Sequence, residues 1–79
     1  MPRYFLHVNQ GTDVAKDLEG EEFDDLAAAR QEAAGAARDL MASDLRSGQP
    51  LGLNRSIVIT DESGDTIAEV SFKDALPAE

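Results

Sequence analysis

Residues 25–47, DLAAARQEAAGAARDLMASDLRS, decide the fold. At 100° per residue, Leu26, Ala29, Ala33, Ala36, Ala37, Leu40 and Met41 gather on one broad arc, the pattern of an amphipathic helix. Asp24 and Asp25 stand at its start, where either carboxylate can accept the free N–H groups of the first turn. Gly48 falls where a helix C-cap is expected, and Pro50 prevents continuation. No other stretch has this period, so the segment is read as the only helix and its flanks as strands.

Upstream, Arg3-Tyr4-Phe5-Leu6-His7-Val8 is rich in aromatic and β-branched residues and stops at Asn9-Gln10-Gly11, which predicts a first strand. A second, short strand is expected from Val14 to Leu18 or on to Phe23, broken or turned at Gly20, in a hairpin with the first. Downstream, Leu51–Asn54 form a connecting loop. Arg55–Thr60 and Thr66–Phe72 then read as two strands around Asp61–Asp65, with Gly64 supplying the positive φ of the turn. Fraying is expected beyond Leu76. The fold class is therefore α+β: a two-layer β-β-α-β-β arrangement, one long helix packed on a mainly antiparallel four-stranded sheet, with residues 1–79 forming a single small domain.

Length and charge limit what such a domain does. A chain of 79 residues buries only about 60% of its unfolded surface, so its core is thin. Twelve of its apolar residues are alanine, which thins it further, and without cysteine neither disulfides nor thiolate metal sites reinforce it. Homodimer formation is open to it. Sixteen acidic against seven basic side chains give a net charge of −9, which repels phosphate backbones and anionic lipid surfaces. The expectation is no nucleic acid, no membrane, and a solubilising or basic-partner role for the charge. With no signal-peptide pattern and no membrane span, the expected location is cytoplasmic.

Between Asp17 and Asp25 lie six carboxylates in nine positions. A calcium loop built on Gly20 as its sixth residue would put Ala15 first and Leu26 twelfth, and one built on Gly64 would put Ile59 first, so the essential ligands are missing. The cheaper reading is that the stretch starts the helix. A second reading makes Asp17, Glu19, Glu21 and Glu22 an acidic edge that docks a Lys/Arg-rich protein. His7, the only histidine, has no cysteine or second histidine to pair with, and a Ser-His-Asp set in so short a chain is identified by geometry rather than by composition. The six glycines are dispersed and show no phosphate-binding pattern. No catalytic residue, cofactor or metal is expected, and the protein is read as non-enzymatic.

Two surfaces emerge as contact candidates. Ala28, Gly35 and Ala42 recur every seven residues opposite the apolar arc of the helix, where small side chains would let another backbone approach. Gly35 costs about 1 kcal/mol there relative to alanine. On the sheet, if Tyr4, Leu6 and Val8 face the helix, Phe5 and His7 face away, accompanied by Val58 or by the Ile57/Ile59 pair. One helix cannot cover both faces, and a contiguous row with Phe5 would mark an interface.

The opening Met1-Pro2-Arg3-Tyr4-Phe5-Leu6-His7-Val8, Asp17-Leu18-Glu19-Gly20, the helix start Asp25–Arg30 with Glu32-Ala33, and Ile59–Gly64 resemble a family of short alphaproteobacterial proteins of unknown function, over about residues 2–76. Leu6 stands where that family often has an aromatic residue. The resemblance implies no activity and transfers no functional residue. A looser similarity, carried by Glu32-Ala33, Ala36-Ala37, Leu40 and Gly48-Gln49-Pro50, runs to HicB-type antitoxin domains, which would imply an acidic module that neutralises a basic RNA-binding toxin; the DNA-binding segment such proteins append has no counterpart here. The leading expectation is a protein-protein interaction module. The alternatives are an antitoxin-like regulator with a basic partner, and a small-ligand binder or enzyme with a pocket near His7.

Overall fold

The computed structural model describes residues 1–76, and the fraying expected beyond Leu76 lies outside them. Strand β1 (Arg3–Gln10) turns through Gly11 into β2 (Asp13–Ala15), and a loop leads to β3 (Glu21–Glu22). Helix α1 (Leu26–Arg46) follows, then β4 (Ser56–Thr60), β5 (Thr66–Ser71) and a one-turn helix, α2 (Phe72–Ala75). The sheet order is β2-β1-β4-β5 with β3 also paired to β1, and the pairs β1/β2, β1/β3, β1/β4 and β4/β5 are all antiparallel.

This is the expected α+β class with five strands where four were expected. The predicted second strand is split. Val8 pairs with Ala15 and Tyr4 with Glu21, so β2 and β3 pair with successive parts of β1 and the register runs in one direction. Between them Asp17 takes the place of a strand: its Oδ2 accepts the Leu6 N–H at 3.2 Å, and its own backbone N–H donates to His7 Nδ1 at 3.0 Å. A carboxylate thus satisfies a backbone donor that a continuous strand would have paired. Gly20 closes the loop at φ +70°, and a Cβ there would fall 2.8 Å from the Phe5 ring and 2.9 Å from the Tyr4 carbonyl, so no side chain fits.

Helix α1 begins at an Asp25 cap, whose Oδ1 accepts the Ala28 N–H at 2.9 Å. Its C-cap is Ser47, one residue before the expected Gly48, whose N–H returns to the Leu45 carbonyl while that of Gln49 returns to Asp44. Ala29, Ala33, Ala37 and Met41, four residues apart, are the buried positions. Such small side chains set the helix close to the sheet and leave the larger apolar volume to Tyr4, Ile57, Ile59 and Phe72. Leu40, expected in the core, is 38% exposed, because the buried line drifts across the helix from Ala29 to Met41 and leaves it on the uncovered flank.

Two corrections concern the last segment. Phe72 is not the end of a strand but the first residue of α2, so α1 is not the only helix. The Ser71 hydroxyl accepts the Asp74 N–H at 2.9 Å and starts the turn, and Phe72 falls fully into the core. Arg55 holds this corner together. Its guanidinium lies 4.4 Å over the Phe72 ring, donates to the Leu51 carbonyl at 2.6 Å and the Gly52 carbonyl at 3.1 Å, and pairs with Asp44 of α1. Its backbone carbonyl accepts the Phe72 N–H at 2.9 Å. Arg38 donates to the Ala75 carbonyl at 3.1 Å, tying α1 to the end of α2. The β4–β5 turn follows the expectation: Gly64 has φ +86°, and its N–H donates to the Asp61 carbonyl at 3.0 Å.

Candidate interaction face

Register assigns every strand residue to one of two faces. Leu6 with Ile59, Val8 with Ile57, Ile57 with Val70 and Ile59 with Ala68 lie on the side covered by α1 and α2. The opposite side carries Asn9 beside Ser56, His7 beside Val58 and Phe5 beside Thr60, with Glu69 next to Val58 on β5. Of the two options left by the sequence, Val58 is therefore the outward residue and Ile57 and Ile59 are core. Carrying the Val8–Ala15 pair one residue on puts Lys16 beside His7. One row of the open face then reads Lys16, just beyond the end of β2, followed by His7, Val58 and Glu69 on β1, β4 and β5.

A groove of about 410 Å³ runs over the Lys16, His7 and Val58 part of this row, lined by His7, Asn9, Val14, Lys16, Val58 and Thr60 and bounded by the β4–β5 hairpin at Gly64 and Thr66. Lys16 is the only charged side chain among them. Val14 is 51% exposed, and the Asn9 Oδ1 is the one buried side-chain polar atom without a partner among the described residues. At the β5 edge the Ser56 hydroxyl donates to Glu69 Oε2 at 2.6 Å.

His7 lies in the groove but both its ring nitrogens are engaged within the fold. Nδ1 accepts the Asp17 N–H, which leaves the proton on Nε2, within 3.0 Å of Thr60 Oγ1. A general base needs a free nitrogen within reach of the proton it takes, and this ring offers none without breaking one of the two bonds. The Asp17 carboxylate faces backbone N–H groups rather than the imidazole, so no Ser-His-Asp relay is assembled here. Phe5 stacks against His7, centroids 6.4 Å apart and planes 6° from parallel, and is half-covered by the Gly20 turn. It supports the face and lies outside the groove.

The acidic edge separates into different roles. Asp17 points inward, where burial acts to raise its carboxyl pKa but the N–H groups of Gly20, Leu6 and Glu19, with His7 nearby, outweigh that and hold it below the usual carboxylate range. Glu19, Glu21 and Glu22 are exposed. Glu22 lies 3.7 Å from Arg3, whose guanidinium also donates to the Glu19 carbonyl at 3.0 Å. Among the described residues no three His, Asp or Glu side chains converge to hold a metal ion. The row Ala28, Gly35 and Ala42 is half-buried, and a Cβ at Gly35 would meet only Arg38, at 3.9 Å, so nothing else in the described fold packs on that point of the helix. No helix of the described residues is long and apolar enough to cross a membrane.

The sequence pointed to His7 and Val58 and missed their neighbours. Period two from those residues reaches Asn9 and Thr60, which would have completed the floor of the groove; Val14 and Lys16 required the β1–β2 register, and Ser56–Glu69 that of β4–β5. The fold and this face define a two-layer α+β domain with helices on one side of an antiparallel sheet and the other side uncovered. The chain belongs to the family described as Domain of unknown function (DUF6894), whose model matches residues 3–73. No curated protein and no solved structure matches it.

Proposed function

We propose that this protein is a small, acidic, cytoplasmic, non-enzymatic interaction module whose contact surface is the open sheet face around His7 and Val58. The observation that carries the proposal is the groove itself: on a chain of net charge −9 it is lined by neutral groups and one lysine. A surface that stays neutral while the rest of the molecule is strongly acidic is suited to contact. The commitment of both His7 nitrogens favours this reading over an enzyme or a ligand binder acting through the imidazole.

The test compares tagged wild type with Val58→Asp, followed by cross-linking in lysate of the source organism and mass spectrometry. Proteins held through this face, a second copy included, are lost from the variant. An unchanged set of captured proteins would sink the reading. A second contact is favoured by the exposed carboxylates of Glu19, Glu21 and Glu22 beside Arg3, which suit a Lys/Arg-rich segment of the kind an antitoxin-like regulator would bind. Raised salt should release such a partner, since exposed charge contacts are screened.

A further inference from the structure

We infer that the occupant of the open face is a second copy of this chain, related by a two-fold axis that lies in the interface, parallel to the strands and midway between β1 and β4. The inference rests on the interaction-module reading and names its partner.

Two copies carrying −9 each repel, so self-association needs a face whose own charges cancel or complement. The central row does so. Lys16 stands at its β2 end and Glu69 at its β5 end, with His7 and Val58 between them. A two-fold axis between β1 and β4 reverses the strand order of the facing copy. It therefore lays Lys16 over the other copy's Glu69 and His7 over its Val58, and the reciprocal contacts follow from the symmetry. A row running from positive to negative is self-complementary under this operation.

The same operation sets the second copy's Ser56 over Asn9 and its Ser71 over Val14, so the neighbouring row brings no like charges together. The face is small. Four strand positions about 4.8 Å apart and five residues at about 3.4 Å give roughly 300 Å² per copy in projection, well short of the ~800 Å² per partner of a standard interface, so the dimer is weak and forms only at high concentration.

The test is sedimentation equilibrium over a concentration series, with circular dichroism to verify folding. Wild type is expected to dimerise, and Lys16→Glu and Glu69→Lys, each of which places two like-charged pairs in the homodimer, should each weaken it by about tenfold or more. An equimolar mixture of the two variants should recover dimer, because both contacts of the heterodimer are again opposite in sign. The double swap should recover it in a single chain. Glu69→Gln, which keeps an acceptor for Ser56, guards against a purely local effect of the lysine and should weaken the dimer less than Glu69→Lys. A wild type that is monomeric throughout overturns the inference, as does a dimer indifferent to the swaps. In the latter case, loss of the dimer in Val58→Asp retains the open-face reading with another register, and survival of the dimer in Val58→Asp overturns both.

Discussion

The two faces of this sheet are drawn from alternate residues of the same strands and have opposite fates. On one, Ile57 and Ile59 are sealed under alanines of α1 and the ring of Phe72. On the other, His7, Val58 and Thr60 line a groove that nothing among the described residues covers. Neighbours one position apart, such as Val58 and Ile59, therefore serve different ends: burial of one holds the domain together, and partial exposure of the other leaves a surface for contact. A single long helix makes this division unavoidable, because one helical layer covers one side only.

Substitutions on the covered side carry the largest expected effects. Phe72→Ala removes the largest fully buried side chain and the ring beneath Arg55, so a loss of about 3–5 kcal/mol is expected, read as a collapse of the urea midpoint or as outright unfolding in circular dichroism. Arg55→Ala keeps the ring but removes the pair with Asp44 and the bonds to the Leu51 and Gly52 carbonyls. With both charged groups largely shielded from solvent, that should cost on the order of 2 kcal/mol by urea unfolding, and less if Asp44 is replaced in the same chain.

Gly35→Ala sharpens the contrast from the outer side of the helix. The site has room for a methyl group, so unfolding should shift toward greater stability by about 0.5–1 kcal/mol, with the assembly of the open face unaffected. If that substitution instead disrupts assembly, the small-residue row is a contact surface and the division drawn above is misplaced.

Asp17→Asn, at the junction of the two faces, removes a contribution that depends on pH. The folded carboxyl lies below its unfolded value, so its contribution to stability is present above the unfolded pKa of about 3.9 and is lost as pH falls through the folded value. Unfolding measured across the acid range should therefore be flatter for Asp17→Asn than for wild type in that window. Equal slopes would mean that the carboxylate does not hold the Leu6, Glu19 and Gly20 N–H groups in solution.

Most of the architecture was legible in local pattern. Aromatic and β-branched runs bounded by turn residues revealed β1, β4 and β5, the 3.6-residue period revealed α1, and turn chemistry placed Gly64; each is a property of residues close in sequence. What escaped depends on distant partners. Asp17 reads as one more surface carboxylate until β1 is beside it, and Phe72 reads as the end of a strand until the Ser71 hydroxyl turns the chain and Arg55 caps the ring. Leu40 fits the apolar arc, but only the crossing of α1 over the sheet shows that it lies at the margin of the core. The contact face was half legible: His7 and Val58 follow from period two, whereas Lys16 and Glu69 become its ends only through pairings between separate strands.

The measurement that tests the division of the sheet most directly compares Val58→Asp with Ile59→Val, adjacent residues on opposite faces, reading unfolding midpoint and sedimenting mass in each. The account predicts that Ile59→Val lowers stability by about 0.5–1.5 kcal/mol and leaves assembly intact. Val58→Asp should abolish assembly while the domain stays folded. Wild-type assembly in Val58→Asp would contradict it.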